Sequence, residues 1–397
     1  GLNFRDVLIA MGIYPDPAEL GCECVGVVSR YGPGVTDLQV GERVAVISSG
    51  CFANYVVAPR ALVVPVPSVM DASVAASLPV AFATAILCLR NLARLEAGDS
   101  VLWHTATGAV GQAAIQVARS EGARIIASAS RKKWSKLKEL GVEDVVDSRS
   151  LEFANDVRRM TQGKGVQIAV NCLPGEFRRA TLDAVAHGGS FIEIGKGEGL
   201  TAEEIKRLRP DVKFESFDLS KLCLTDEEVV ANSLSLAVEN VRTGRWKAPE
   251  VCDYDFVQAG EAFRTMQQAK HTGKLLLDFG RLAPSNDNGE ERLQPEENSV
   301  VLITGGLGGL GLMTAQWLVE RGEKHLVLLS RKGVVSEQQK EVVDRIRNSG
   351  VIVDVLTVDV SDADQLATAL KRFLDGSGPP LRGVIHAAGV LEDHRLE

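Results

Sequence analysis

Val101-Leu102-Trp103-His104-Thr105-Ala106-Thr107-Gly108-Ala109-Val110-Gly111 is the stretch whose reading decides the fold. A short apolar run enters a turn, and the turn opens Gly108 to Ala118, where apolar residues recur with a helical period. A second apolar run, Ile125 to Ala129, follows. Strand, glycine turn, amphipathic helix and strand make the βαβ unit of a parallel sheet. Gly108 and Gly111 let the backbone approach a ligand, and the helix start offers free N–H groups and the positive end of a dipole, which suits a pyrophosphate. Thr107, Gly108, Ala109, Val110 and Gly111 are therefore the candidate dinucleotide cradle. A purely structural turn is the plainer alternative, and the strand-turn-helix context weighs against it.

About 20 residues beyond such a turn, an acidic residue would bind the ribose 2′-hydroxyl of NAD. This chain has Ser128, Ser130, Arg131, Lys132 and Lys133 there instead. Hydroxyls and cations suit a 2′-phosphate, so the expected cofactor is NADPH; a solvated charge run after a strand is the competing account.

A second turn, Thr304-Gly305-Gly306-Leu307-Gly308-Gly309-Leu310-Gly311, follows the strand Val300 to Thr304 and opens a helix read as Leu312 to Arg321. The strand Leu326 to Leu329 ends in Ser330 and Arg331, and two further apolar strands end in Asp359-Val360 and His386-Ala387-Ala388-Gly389. Gly305, Gly308, Gly311, Arg331 and Asp359 are candidate cofactor positions of this second nucleotide fold. Between the two folds, Arg281 to Ser299 is polar, with Pro284, Gly289 and Pro295 and almost nothing to bury, and it reads as a linker. The first stretch, to about residue 89, carries short alternating runs, Glu23 to Val28, Arg43 to Ile47 and Asn54 to Val57, expected to form a β-rich lobe.

The 397 residues suffice for two or three domains, and the formal net charge of −8 offers no basic field to a phosphodiester backbone, which argues against a nucleic-acid partner. The longest apolar run, Pro79 to Leu89, is too short to cross a bilayer, so no membrane association is expected. Seven scattered cysteines suit reduced thiols and a cytoplasmic setting. A first residue Gly1 and a last residue Glu397 within a new element suggest both ends are cut from a longer polypeptide.

Gly1-Leu2-Asn3-Phe4-Arg5-Asp6-Val7-Leu8, Met11-Gly12-Ile13-Tyr14-Pro15, Val110-Gly111-Gln112-Ala113-Ala114, Asn171-Cys172-Leu173-Pro174-Gly175-Glu176 and Gly189-Ser190-Phe191-Ile192-Glu193-Ile194-Gly195-Lys196 resemble the enoyl reductase domains of polyketide synthases and animal fatty acid synthase. These are members of the medium-chain dehydrogenase/reductase superfamily. Residues 299 to 397 are similar to the nucleotide-binding start of a ketoreductase, a short-chain dehydrogenase/reductase fold whose catalytic Ser, Tyr and Lys follow the His-Ala-Ala-Gly segment. The fragment alone is therefore expected to lack ketoreductase activity. The resemblance implies an α/β protein: a β-rich GroES-like substrate lobe (1–89), a Rossmann domain (90–246), a return to the lobe (247–280), a linker (281–298) and a partial second Rossmann domain (299–397).

The implied reaction is NADPH-dependent saturation of an α,β-unsaturated acyl thioester on an acyl carrier protein. Neighbouring synthase domains and, through the parent synthase, a second copy of the chain are the other implied partners. The family motifs place Asn171 beside the cofactor and supply three candidates for proton delivery: Lys196, Asp218 in Phe217-Asp218-Leu219, and Tyr14. Their plainer roles are a solvent-exposed lysine after a strand, a helix-capping carboxylate and a turn tyrosine before proline. Relatives often carry aromatic residues at Ile86-Leu87 and Gly at Cys22, and one family variant forms a cyclopropane ring. A quinone or enone reductase of the same superfamily and a non-catalytic spacer are the alternatives; the trailing ketoreductase sequence and the intact glycine turn weigh against them.

Zinc-dependent relatives carry a ligand in a Gly-His-Glu segment, where this chain has Gly21-Cys22-Glu23, and an early ligand cysteine where Asn3 stands. No zinc is expected. Cys22 and Cys24, two apart on an expected strand, would share a face, as a metal pair or as buried thiols.

Overall fold

The structure, a computed structural model, describes residues 1–16, 18–195, 199–280 and 299–389. The chain forms two compact units, Gly1–Pro284 and Ser285–Glu397. The expected linker falls outside the described residues.

The first unit opens with a three-stranded antiparallel sheet of β1 (Glu23–Val27), β2 (Arg43–Ile47) and β3 (Val63–Pro65). Asn54 to Val57 joins no ladder, and Tyr55 and Val57 stand 78% and 96% exposed, so the alternation there found no partner to bury its apolar side. The apolar run from Pro79 forms a buried helix, Pro79–Ile86, continued by a π-helical turn over Leu87–Leu92. Proline is tolerated in the first helical turn, where its missing N–H would have no partner. Phe82 of this helix stacks on Trp246 with ring centroids 5.2 Å apart.

The centre of the unit is a six-stranded sheet of β4 (Ser100–Trp103), β5 (Arg124–Ala129), β6 (Val145–Asp147), β7 (Val166–Asn171), β8 (Val185–Glu193) and β9 (Lys213–Ser216). Every neighbouring pair is parallel, in the order β6-β5-β4-β7-β8-β9. Val101 and Trp103 enter one buried cluster and Leu102 another, so both faces are covered and the strands read as continuous apolar runs. The order reverses between β4 and β7, and the crevice beyond the strand ends at such a switch point is where open α/β sheets bind ligands.

The unit closes with the parallel pair β10 (Val251–Asp255) and β11 (Lys274–Asp278). Leu2 donates its N–H to Leu275 O at 2.9 Å, and Gly273 donates to Thr107 O at 2.8 Å, so β11 joins the N-terminal segment to the first glycine turn.

The second unit has a parallel sheet of β12 (Val300–Thr304), β13 (His325–Ser330), β14 (Ile352–Thr357) and β15 (Leu381–His386), ordered β14-β13-β12-β15. Its first helix, Gly309–Glu320, starts three residues before the expected Leu312 because Gly308 takes the cap position. Among the described residues, no helix is long and apolar enough to cross a membrane.

Candidate functional site

The first glycine turn leaves β4 through Thr105, which adopts a left-handed φ of 52°. Gly108 then caps the helix Ala109–Ser120 in extended conformation, φ −75° and ψ 170°, with no side chain closing the cap. The first N–H groups of the helix have no intrahelical acceptor and point outward. A Cβ on Gly108 would meet only Thr105 O, at 3.5 Å, whereas one on Gly111 would lie 2.4 Å from Ala106 Cα. Gly108 thus leaves the approach to the helix end open, and Gly111 packs the helix onto the turn. These residues fit a dinucleotide pyrophosphate. Thr107 is buried and contributes its carbonyl, which accepts from Gln112 Nε2 at 3.0 Å and from Gly273 N.

The five residues expected at the 2′-position differ in exposure, from buried Ser128 through half-buried Ser130 and Lys133 to exposed Arg131 and Lys132. Ser128 has no exposed surface; its hydroxyl meets His104 Nδ1 at 2.8 Å and its carbonyl holds Ala106 N–H at 3.0 Å. Ser130 precedes a 3-10 turn over Arg131–Lys133 and is half-buried. Arg131 and Lys132 are exposed, Arg131 pairing with Asp147 at 2.9 Å. Lys133 donates to Ala269 O at 2.7 Å and to His271 O, and burial, with Arg149 nearby, lowers its pKa.

Beside this turn lies a buried polar chain. His104 Nε2 meets Thr181 Oγ1 at 2.8 Å, and Thr181 Oγ1 lies 3.3 Å from Asn171 Oδ1. Asn171 Nδ2 donates to Glu193 Oε2 at 2.7 Å and to Leu173 O at 2.8 Å. Glu193 forms an ion pair with Arg178 at 2.7 Å and accepts Gly195 N–H at 2.7 Å. Burial raises the Glu193 carboxyl above its usual range, although Asn171 and Arg178 oppose that. Burial pushes His104 down to about 3, leaving a neutral ring. Asn171, expected beside the cofactor, has a buried side chain committed to this network.

Of the expected proton donors, Lys196 lies outside the described residues. Asp218 caps the helix Leu219–Thr225, its Oδ1 accepting Lys221 N–H at 3.3 Å. Its neighbour Phe217 donates to Glu193 O at 2.8 Å, so Asp218 stands beside the end of β8. Tyr14 is half-buried, with the Arg5 guanidinium 5.3 Å from its ring centroid.

At the positions compared with metal ligands, Asn3 Nδ2 donates to Glu23 Oε1 at 2.7 Å and Lys274 Nζ donates to Asn3 Oδ1 at 2.8 Å while pairing with Glu23. Both charges are buried, at 2% and 0% side-chain exposure. Burial alone would raise the Glu23 pKa, but the Lys274 ammonium and the Val80 N–H bring it below its ordinary value. Cys22 lies before β1 and faces Asn3 Nδ2 at 3.3 Å, whereas Cys24 packs beside Val28 and Leu38. Ser48 donates its N–H to Cys22 O at 3.2 Å, continuing the β1–β2 pairing one residue beyond Glu23. Among the described residues, no group of three or more His, Cys, Asp or Glu gathers as a metal site.

In the second unit, Gly305 has φ 63°, and an added Cβ there would press on Ala387 O at 2.6 Å; one on Gly311 would lie 2.3 Å from Gly305 O. Gly308 caps its helix without a side chain, as Gly108 does. Arg331 is exposed, and Asp359 is held below its usual pKa by Ser361, whose hydroxyl and N–H it accepts at 2.7 and 3.0 Å.

The residues that sequence reasoning passed over are Thr181, Arg178 and Lys274, together with His104 and Glu193, which it quoted only as strand residues. A histidine closing an apolar strand directly before the turn, and a glutamate inside Phe191-Ile192-Glu193-Ile194, were the available signals.

Residues 1–68 match the alcohol dehydrogenase GroES-like domain, 109–237 the zinc-binding dehydrogenase family and 299–397 the KR domain. The whole chain is 39% identical over 399 residues to the pikromycin polyketide synthase component PikAII of Streptomyces venezuelae, spanning 10% of that protein's length. Among solved structures, CurK enoyl reductase is 36% identical with a TM-score of 0.66, over 70% of this chain and 88% of that one. Mycobacterial Rv1454c, solved as a complex with NADPH, is 27% identical with a TM-score of 0.64, over 70% of this chain and 88% of that one.

Proposed function

The chain belongs to the enoyl reductases of type I polyketide synthases, medium-chain dehydrogenase/reductase oxidoreductases, here continued by the start of a ketoreductase domain; from that premise we propose that it saturates an α,β-unsaturated acyl thioester using NADPH and no zinc. The thioester is carried on an acyl carrier protein within a cytoplasmic synthase, and a second copy is brought alongside through the parent polypeptide. The observation that carries this reading is the buried Asn3-Glu23-Lys274 cluster, in which an ammonium neutralises the carboxylate of the segment compared with a metal ligand.

The nicotinamide supplies a hydride for Cβ when it is bound. The protein's part is to hold the thioester and to offer N–H donors to the oxygen on which charge develops. It must also place one proton within reach of Cα. Tyr14 Oη and Lys196 Nζ are the donors assigned, and Asp218 orients Lys196. Ser130, Arg131 and Lys132 supply the hydroxyl and charges that favour a 2′-phosphate.

Incubating the chain with a crotonyl thioester and following nicotinamide absorbance tests the reading. NADPH should be used at least about tenfold more efficiently than NADH, a difference of about 1.4 kcal/mol, and activity should survive dialysis against a chelator. Equal use of both cofactors would remove the 2′-phosphate assignment. Activity lost to the chelator and restored by Zn²⁺ would overturn the zinc-free mechanism.

A further inference from the structure

The hydrogen bonds around His104 have a direction. Asn171 Nδ2 donates to Glu193 Oε2 and to Leu173 O, which fixes the amide so that Oδ1 faces Thr181. Thr181 Oγ1 therefore lies near two groups that only accept, Phe177 O at 2.7 Å and Asn171 Oδ1 at 3.3 Å. A hydroxyl has one proton, and that proton is spent there. The 2.8 Å contact with His104 Nε2 must then be donated by the ring. The ring is buried, among the described residues no carboxylate hydrogen-bonds to it, and the Phe153 ring stands nearly perpendicular to it with centroids 5.0 Å apart, so it is neutral and its Nδ1 is a bare lone pair. Ser128 Oγ, 2.8 Å away, fills that lone pair with its own proton.

We propose that His104, locked as the Nε2–H tautomer by Thr181 and Ser128, is a positioning residue for the dinucleotide turn, and that Ser128 serves the cofactor through this ring and not as a ligand of the 2′-phosphate. The ring anchors the residue directly before Thr105, whose φ of 52° is unfavourable for a residue with a side chain. Ser128 O holds Ala106 N–H from the other side. The turn is thus pinned at both ends of its strained residue. With its proton given to Nδ1, Ser128 Oγ offers only lone pairs, and a phosphate, itself an acceptor, gains nothing from them.

The proposal rests on the dinucleotide reading of the turn, and the tests separate the two. In the full chain labelled with ¹⁵N-histidine, one of the six histidines should show the Nε2–H tautomer unchanged between about pH 5 and 8, and its signals should vanish in His104→Leu. Assignment of His104 to the Nδ1–H form, or its titration near the ordinary histidine value, overturns the proposal whatever the chain binds. By fluorescence titration and steady-state kinetics, His104→Leu should raise the NADPH Kd and KM by about 10- to 100-fold, as loss of two buried hydrogen bonds implies, with kcat changed by less than about threefold. His104→Gln, which keeps one donor and one acceptor, should recover to within about fivefold. If His104→Leu does not fold, Thr181→Val carries the same expectation. Ser128→Ala should weaken NADPH and NADH alike, whereas Arg131→Ala and Lys132→Ala should lower the NADPH preference. Selective loss of NADPH in Ser128→Ala, or unchanged KM in folded His104→Leu, refutes it. Wild-type protein that binds neither dinucleotide would instead fail the functional reading, leaving the tautomer to decide the positioning.

Discussion

The proposed mechanism divides the protonation of Cα between two donors, Tyr14 and Lys196, and a supporting charge, Asp218. Lys196→Ala should slow saturation by roughly 10- to 1000-fold, the range one acid-base group contributes, with little change in NADPH affinity, and Asp218→Ala should be milder. Tyr14→Phe should leave hydride transfer largely intact and alter the Cα configuration of an α-methyl product. Unchanged rate and stereochemistry in the Lys196→Ala, Tyr14→Phe double variant would show that neither is the acid. Lys274 makes a different kind of prediction. Lys274→Met strands the fully buried Glu23 carboxylate and should cost about 3–5 kcal/mol, read as a lower melting temperature; Glu23→Gln in the same chain should restore much of it. Because the folded pKa of Glu23 lies below its unfolded value, the stability it contributes is present above the unfolded pKa and is lost as pH falls through the folded one. Thr107 to Gly111 could be found in the sequence because a turn is a local event. Lys274 could not, since its partner Asn3 is 271 positions away and its charge is paired only after the chain has folded.

At the scale of elements, strands announced themselves where both faces became buried. Val101-Leu102-Trp103-His104 and Ile125 to Ala129 were visible because two cores cover the parallel sheet. Asn54 to Val57 misled because alternation describes a residue's own preference and says nothing of whether a neighbouring strand is present. His104, directly after β4, also makes the stability respond to acid. His104 has a folded pKa of about 3 against 6.5 for an exposed histidine, so between those values the unfolded chain carries one more proton. Stability should therefore fall as pH falls through that window, by about 1.4 kcal/mol per pH unit at most, and His104→Gln should flatten the slope in urea titrations between pH 6.5 and 4. His271, lowered to about 4 by burial, acts with the same sign.

The whole molecule carries two glycine turns built alike, and only one is assigned to enoyl reduction. Gly111→Ala, whose Cβ would lie 2.4 Å from Ala106 Cα, should abolish NADPH oxidation with a crotonyl thioester. Gly311→Ala, equally crowded at 2.3 Å from Gly305 O, should leave that activity intact. The reverse result would move the activity to the second unit. The α/β class with two nucleotide folds was legible because each glycine turn sat between a strand and a helix. The strand order was not, since pairing β4 with β7 is a long-range choice.

The hydrogen bond from Leu2 N to Leu275 O also has a topological meaning. The N-terminal segment of the first unit thus lies against its last strand, so the unit is a closed loop of chain that can hang from a host polypeptide like a bead. A circular permutant that keeps the whole of β11, joined from Gly280 to Gly1 by a flexible linker and reopened at the exposed turn Gly32–Gly34, should retain native far-ultraviolet dichroism and NADPH binding.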